Sequence, residues 1–113
     1  MSERIEKIGA PLVKHQLFES IDNAFETITL NYIQQQLQKY SRLIKKFEKK
    51  YKMNYTEFQD YTKERARKLN TDPSTHEEFI QLEDDAFDWK VAVNGLASWE
   101  EVHREIERII ALA

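Results

Sequence analysis

The sequence predicts an all-α protein, a bundle of three to five helices with one long central helix. Two glycines and two prolines in 113 residues leave little material for tight turns, while Glu, Lys, Gln, Leu and Ala are plentiful. Apolar residues recur at spacings of three and four along most of the chain, which is the period of a helix stripe. Where that period is interrupted, Asn or Ser stands three residues before Glu, the spacing of a capping box. A chain of this length builds one core, so residues 1–113 are expected to form a single helical domain with 1–14 as a loosely packed N-terminal segment.

The first stripe is Phe18, Ile21, Phe25, Ile28 and Tyr32. A second, Leu30, Ile33, Leu37, Tyr40, Ile44, Phe47 and Tyr51, runs in a different phase. Either the helix breaks near 28–33, with Thr29 or Asn31 as a new N-cap, or one continuous or kinked helix turns a fresh face to a new neighbour. The continuous helix is the preferred reading. Met53-Asn54 interrupts the period and Glu57 follows three residues after Asn54, so a helix is expected to start at Asn54 or Tyr55 and run through Phe58 and Tyr61 to about Leu69. Asn70-Thr71-Asp72-Pro73 supplies a turn, and Ser74 with Glu77 forms a second box. The next stripe is Phe79, Leu82, Ala86, Trp89, Val93 and Leu96. Asn94-Gly95 could end it, with Ser98 and Glu101 capping a last helix that carries Trp99, Val102, Ile106, Ile109 and Ile110; a glycine costs a helix only about 1 kcal/mol, so one long helix over 74–112 is the alternative.

Composition excludes several function classes. Without cysteine there is no disulfide framework and no thiolate metal site. No run of about 18 apolar residues occurs, and acids interrupt the N-terminal MSERIEKIGAPLVKH, so a soluble, cytoplasmic protein without membrane contact is expected. The net charge of −3 conceals an asymmetry: residues 39–68 hold eleven basic side chains against four acids, and residues 69–113 hold three against eleven. The two parts either lie against each other or each meets a partner of opposite sign.

LEDDAFDWK, residues 82–90, brings Glu83, Asp84, Asp85 and Asp88 among Phe87 and Trp89. At 3.6 residues per turn Leu82, Ala86, Trp89 and Val93 form one apolar face, and the aspartates are expected on the polar side, too wet for the unequal pKa values of a carboxylate pair. A second apolar set, Ile80, Phe87 and Val91, falls roughly opposite the first. A helix with two apolar faces is either central in its own bundle or docks another chain, and flanking acids would steer a basic partner. Ile80, Asp84, Phe87, Asp88 and Val91 are therefore the candidate partner-binding residues.

His15 with Glu19 and His103 with Glu107 have helical ligand spacing, but no further histidine stands near either pair, so neither a metal nor another cofactor is expected. Nucleophile motifs and a glycine-rich phosphate loop are missing, and no enzyme activity is expected. The alternative function is a small nucleic-acid-binding helical protein, because Lys39, Arg42, Lys46, Lys49 and Lys50 form a basic stripe opposite Tyr40, Ile44, Phe47 and Tyr51. The acidic pI near 5.6 argues against it. The heptad from Leu30 to Tyr51 could instead join two chains, although its aromatic positions suit a bundle core better than a plain two-stranded coil.

The order FEKKYKMNYTEFQDY, an acid-rich stretch, EDDAFDWKVAVNGL and a final amphipathic helix resembles a group of small helical antitoxin-like proteins of bacteria and archaea, encoded in two-gene toxin-antitoxin pairs. The resemblance covers about residues 28–110. It rests on Lys50-Tyr51, Met53, Asn54-Tyr55 and Glu57-Phe58, then on Glu83, Asp84, Asp85, Phe87, Asp88 and Trp89. The family's usual glycine is replaced by Lys52, and residues 1–27 lie outside the pattern. The resemblance implies no catalytic residues and a binding role: a protein that neutralises a small RNase-like toxin encoded beside it. A homodimer is expected as a further partnership.

Overall fold

A computed structural model describes residues 2–112. Four α-helices follow in order: α1 (Glu3–Lys14), α2 (Ile21–Tyr51), α3 (Tyr55–Thr71) and α4 (His76–Leu112), with a 3-10 turn at Pro73–Thr75 leading into the last. Among the described residues there is no strand, and no helix is long and apolar enough to cross a membrane. The all-α expectation holds. The chain divides into two compact units, residues 1–36 and 37–113, with the boundary inside α2.

In the first unit, the segment expected as loosely packed contains a capped helix. The Ser2 hydroxyl accepts the Ile5 N–H at 3.3 Å, and an added Cβ on Gly9 would lie 3.0 Å from Ile21, so α1 approaches α2 closely at that point. Gln16 takes a left-handed φ of 61° and the N–H groups of Leu17 and Phe18 return to the Leu12 carbonyl, which ends α1. The next helix starts at Ile21 rather than Phe18, because the Ser20 hydroxyl accepts the Asn23 N–H at 3.0 Å. It does not restart at Thr29 or Asn31. The two stripes of α2 part in their burial instead: Ile33, of the second series, is buried, whereas Phe25 and Ile28, of the first, are exposed.

The second unit holds an aromatic core. Phe47 of α2, Phe58 of α3 and Leu82 and Trp89 of α4 are buried together, with Ile44, Tyr51, Met53, Tyr55, Tyr61, Phe79, Ala86 and Val93 packed around them. Trp89 is the hub, its ring centroid 4.6 Å from that of Phe58, 5.5 Å from Phe47 and 5.6 Å from Tyr55. Among the described residues its indole N–H finds no acceptor, so packing and not hydrogen bonding fixes it. The turn between α2 and α3 follows the expected chemistry: Lys52 enters the left-handed region at φ 56°, the Asn54 side chain accepts the Glu57 N–H at 2.8 Å, and the Glu57 carboxylate accepts the Asn54 N–H at 3.0 Å. Lys52 thus adopts the conformation that a glycine would take at lower cost.

Two expected caps are not used. Ser74 does not cap α4; its N–H and hydroxyl both donate to Asp72 Oδ1, at 3.1 and 2.6 Å, which builds the 3-10 turn. Nor does Ser98 begin a helix, since α4 passes unbroken through Asn94-Gly95. A Cβ on Gly95 would stand 2.8 Å from the Tyr40 ring, so this glycine is where the tyrosine lies directly against the α4 backbone. That contact offsets the propensity cost of glycine within a helix.

Candidate protein-docking site

The inward stripe of α4 fixes what its outward side presents. Leu82, Ala86, Trp89 and Val93 face the core, and a rotation of 100° per residue puts Ile80, Asp84, Phe87 and Val91 on the far side. These residues are exposed: Ile80 by 45 %, Phe87 by 67 % and Val91 by 45 %. Asp84 is exposed within the same stripe, and the exposed Glu83 and Asp88 fall on its two flanks. An apolar stripe with one carboxylate in it and one on each side is thereby held on a rigid helix, and it can seat a side chain that is both greasy and cationic.

Asp85 departs from the expectation that all the aspartates point away from the core. It is half-buried and accepts hydrogen bonds from Tyr51 Oη and Lys50 Nζ, each at 2.5 Å. Burial pushes its pKa up, but the bonds from Lys50 and Tyr51 and the nearby Lys50 and Lys46 charges outweigh burial and hold the carboxyl below its ordinary value. Burial, and then the bond to Asp85, pushes the Tyr51 phenol well above its ordinary value. The signal for this was in the sequence. Asp85 lies only about 60° from Leu82 around the helix, at the border of the apolar face.

The two rival residue sets of the sequence reading meet in one place. A groove of about 380 Å³ between α2 and α4 is lined by Lys39, Tyr40, Leu43, Lys46, Phe47 and Lys50 on one wall and by Asp85, Asp88 and Val91 on the other. Three of the five candidate phosphate-binding cations therefore share a groove with two carboxylates, one of which pairs directly with Lys50. Arg42 lines a separate groove with Leu37, Gln38, Ser41, Lys45, Leu96 and Glu100, and Lys49 is exposed. The basic part of the chain is thus joined to the acidic part through Lys50 and Asp85. Among the described residues, the ion pairs of Lys7 with Glu3, Arg67 with Glu64 and Arg104 with Glu101, and the contact of His103 with Glu107, each lie within one helix.

The remaining candidates are local. His103 Nε2 meets Glu107 at 2.8 Å on one helix face, while His15 and Glu19 lie in the connection between α1 and α2 and share no helix. Among the described residues no three of His, Asp and Glu converge as a metal would require. The chain matches no protein-family model, no curated protein and no solved structure.

Proposed function

We propose that this chain is a non-catalytic protein-binding module that docks a basic partner on the Ile80–Phe87–Val91 face of α4. The observation that carries the reading is an exposed apolar stripe, Asp84 within it and Glu83 and Asp88 at its edges, on a helix whose opposite side already fills the core. Such a face is larger than folding requires, and its charge selects a cationic counterpart.

The antitoxin-like resemblance supplies a candidate for that counterpart. Of the residues on which it rests, Tyr51, Met53, Tyr55, Phe58 and Trp89 serve the core, Asn54 and Glu57 form the cap, and Lys50 and Asp85 pair. Glu83, Asp84, Phe87 and Asp88 have no comparable duty in the fold; all four are exposed. A small RNase-like toxin must attract a polyanion, so its working surface is cationic and would be covered by an acidic, apolar helix face.

The test is co-expression with the product of the adjacent gene. Co-purification that is lost in Phe87→Asp and weakened at least tenfold in Asp84→Lys, with the far-ultraviolet circular dichroism unchanged, is the expected result. Salt-sensitive retention on nucleic acid that is lost in Lys39→Ala and Arg42→Ala would instead establish the alternative, in which the α2 stripe contacts phosphates. Sharing Lys39, Lys46 and Lys50 with Asp85 and Asp88 disfavours that alternative, because a phosphate in the groove would meet two carboxylates.

A further inference from the structure

Within the second unit, between α3, the first turns of α4 and the C-terminal end of α2, lies a cavity of about 160 Å³. Phe79 and Leu82 of α4 line it together with Tyr51 and Tyr61. Its size is that of one ring, since an apolar cavity of about 150 Å³ holds a benzene molecule, and it is too small for a nucleotide.

The polar groups around this space are not alike. Lys50 Nζ and Tyr51 Oη both donate to Asp85, which does not line the cavity, so their polar ends are already engaged. Arg65 differs. Its Nε donates to Tyr61 Oη at 3.1 Å and its guanidinium carbon stands 5.4 Å from the centre of the Tyr61 ring, so the residue one turn earlier on α3 orients the side chain. Among the described residues its two terminal nitrogens have no hydrogen-bond partner and no ion pair. Held in that way, a guanidinium presents an end-on fork that matches the two oxygens of a carboxylate.

Charge then bounds what the cavity accepts. Lys50 and Arg65 share the lining with one carboxylate, Glu78, and Asp85, paired with Lys50, brings the local sum to zero. One negative charge is accommodated at Arg65, but a second would oppose Glu78 and Asp85.

We propose that this cavity is a binding site for a small aromatic monocarboxylate, its ring against Phe79 and Leu82 and its carboxylate held by the terminal nitrogens of Arg65, with Tyr61 as the positioning residue of that guanidinium. The site stands apart from the docking role of α4. It uses the inward side of that helix, shares no residue with the Ile80–Phe87–Val91 face, and is tested without a partner protein.

Titration of the full chain with sodium benzoate, followed through amide chemical shifts in the NMR spectrum, tests it. Saturable shifts at Arg65, Phe79 and Leu82 are expected, with a dissociation constant of about 0.1–1 mM for a ligand of this size. Benzamide, which keeps the shape and lacks the charge, and inorganic phosphate, which is charged and lacks the ring, should each bind at least tenfold more weakly. Arg65→Gln should weaken benzoate at least tenfold and leave benzamide unchanged, and Tyr61→Phe should weaken benzoate about threefold without affecting benzamide. Should Arg65→Gln lose its helicity, Glu78→Gln decides the matter, because removing the opposing carboxylate should tighten benzoate about threefold. No saturation by about 10 mM benzoate, phosphate bound as tightly as benzoate, or a benzoate affinity indifferent to folded Arg65→Gln or to Glu78→Gln would overturn the proposal.

Discussion

The two sides of α4 are built from similar residues and have opposite fates. Leu82, Trp89 and Ala92 are buried, and Trp89 touches four aromatic rings from α2 and α3. Half a turn away Phe87 is two-thirds exposed between Ile80 and Val91. Hydrophobicity alone does not distinguish the two stripes; the difference is whether another helix of the same chain arrives. What the comparison teaches is that one side stores the stability of the second unit while the other is left available for recognition.

The largest expected effect lies on the inner side. Trp89→Ala empties the hub of the core and should destabilise the chain by about 3–5 kcal/mol, measured by denaturant unfolding. A loss under about 1 kcal/mol would mean that the two sides of α4 are energetically alike and would break the comparison.

At the border between the sides, Asp85→Ala strands the Tyr51 hydroxyl and removes the partner of Lys50, with an expected cost of about 1–3 kcal/mol. The pH dependence sharpens this point. Because the folded pKa of Asp85 is depressed, the carboxylate's contribution is fully present above its ordinary value of about 3.9 and is lost as pH falls through the lower folded value. The stability gap between the native chain and Asp85→Asn should therefore be constant from pH 7 to about pH 5 and close at more acidic pH. A gap that stays constant down to pH 2 would show that the carboxylate's charge does not matter.

Smaller effects are expected at the turn and on the outer side. Asn54→Ala removes one half of the capping box and should cost about 1 kcal/mol, whereas Lys52→Gly relieves a left-handed side-chain-bearing residue and should stabilise by about 0.5 kcal/mol. Phe87→Asp should change unfolding free energy by no more than about 0.5 kcal/mol while abolishing partner capture. A thermal shift of the size seen in Trp89→Ala would assign Phe87 to the core.

The sequence by itself determined the helices, the capping box at Asn54 and the inward stripes, because each depends on short-range spacing and on local hydrogen bonding. The stripe positions Leu30, Ile33, Leu37, Tyr40, Ile44, Phe47 and Tyr51, and Phe79, Leu82, Ala86, Trp89, Val93 and Leu96, are buried or half-buried as their periodicity requires. Local signals misled in two places: Gly95 reads as a helix end until the Tyr40 ring is seen against it, a tertiary contact, and Ser74 reads as a cap although a competing local bond to Asp72, two residues before it, engages its hydroxyl. Only the tertiary structure decided that Phe25 and Ile28 of α2 stay exposed while Ile33 is covered, and that Asp85 turns toward Tyr51 and Lys50 while Asp84 and Asp88 stay exposed. The reason is physical: a helix's period tells which residues share a face, but the free energy of burying that face depends on which neighbour reaches it.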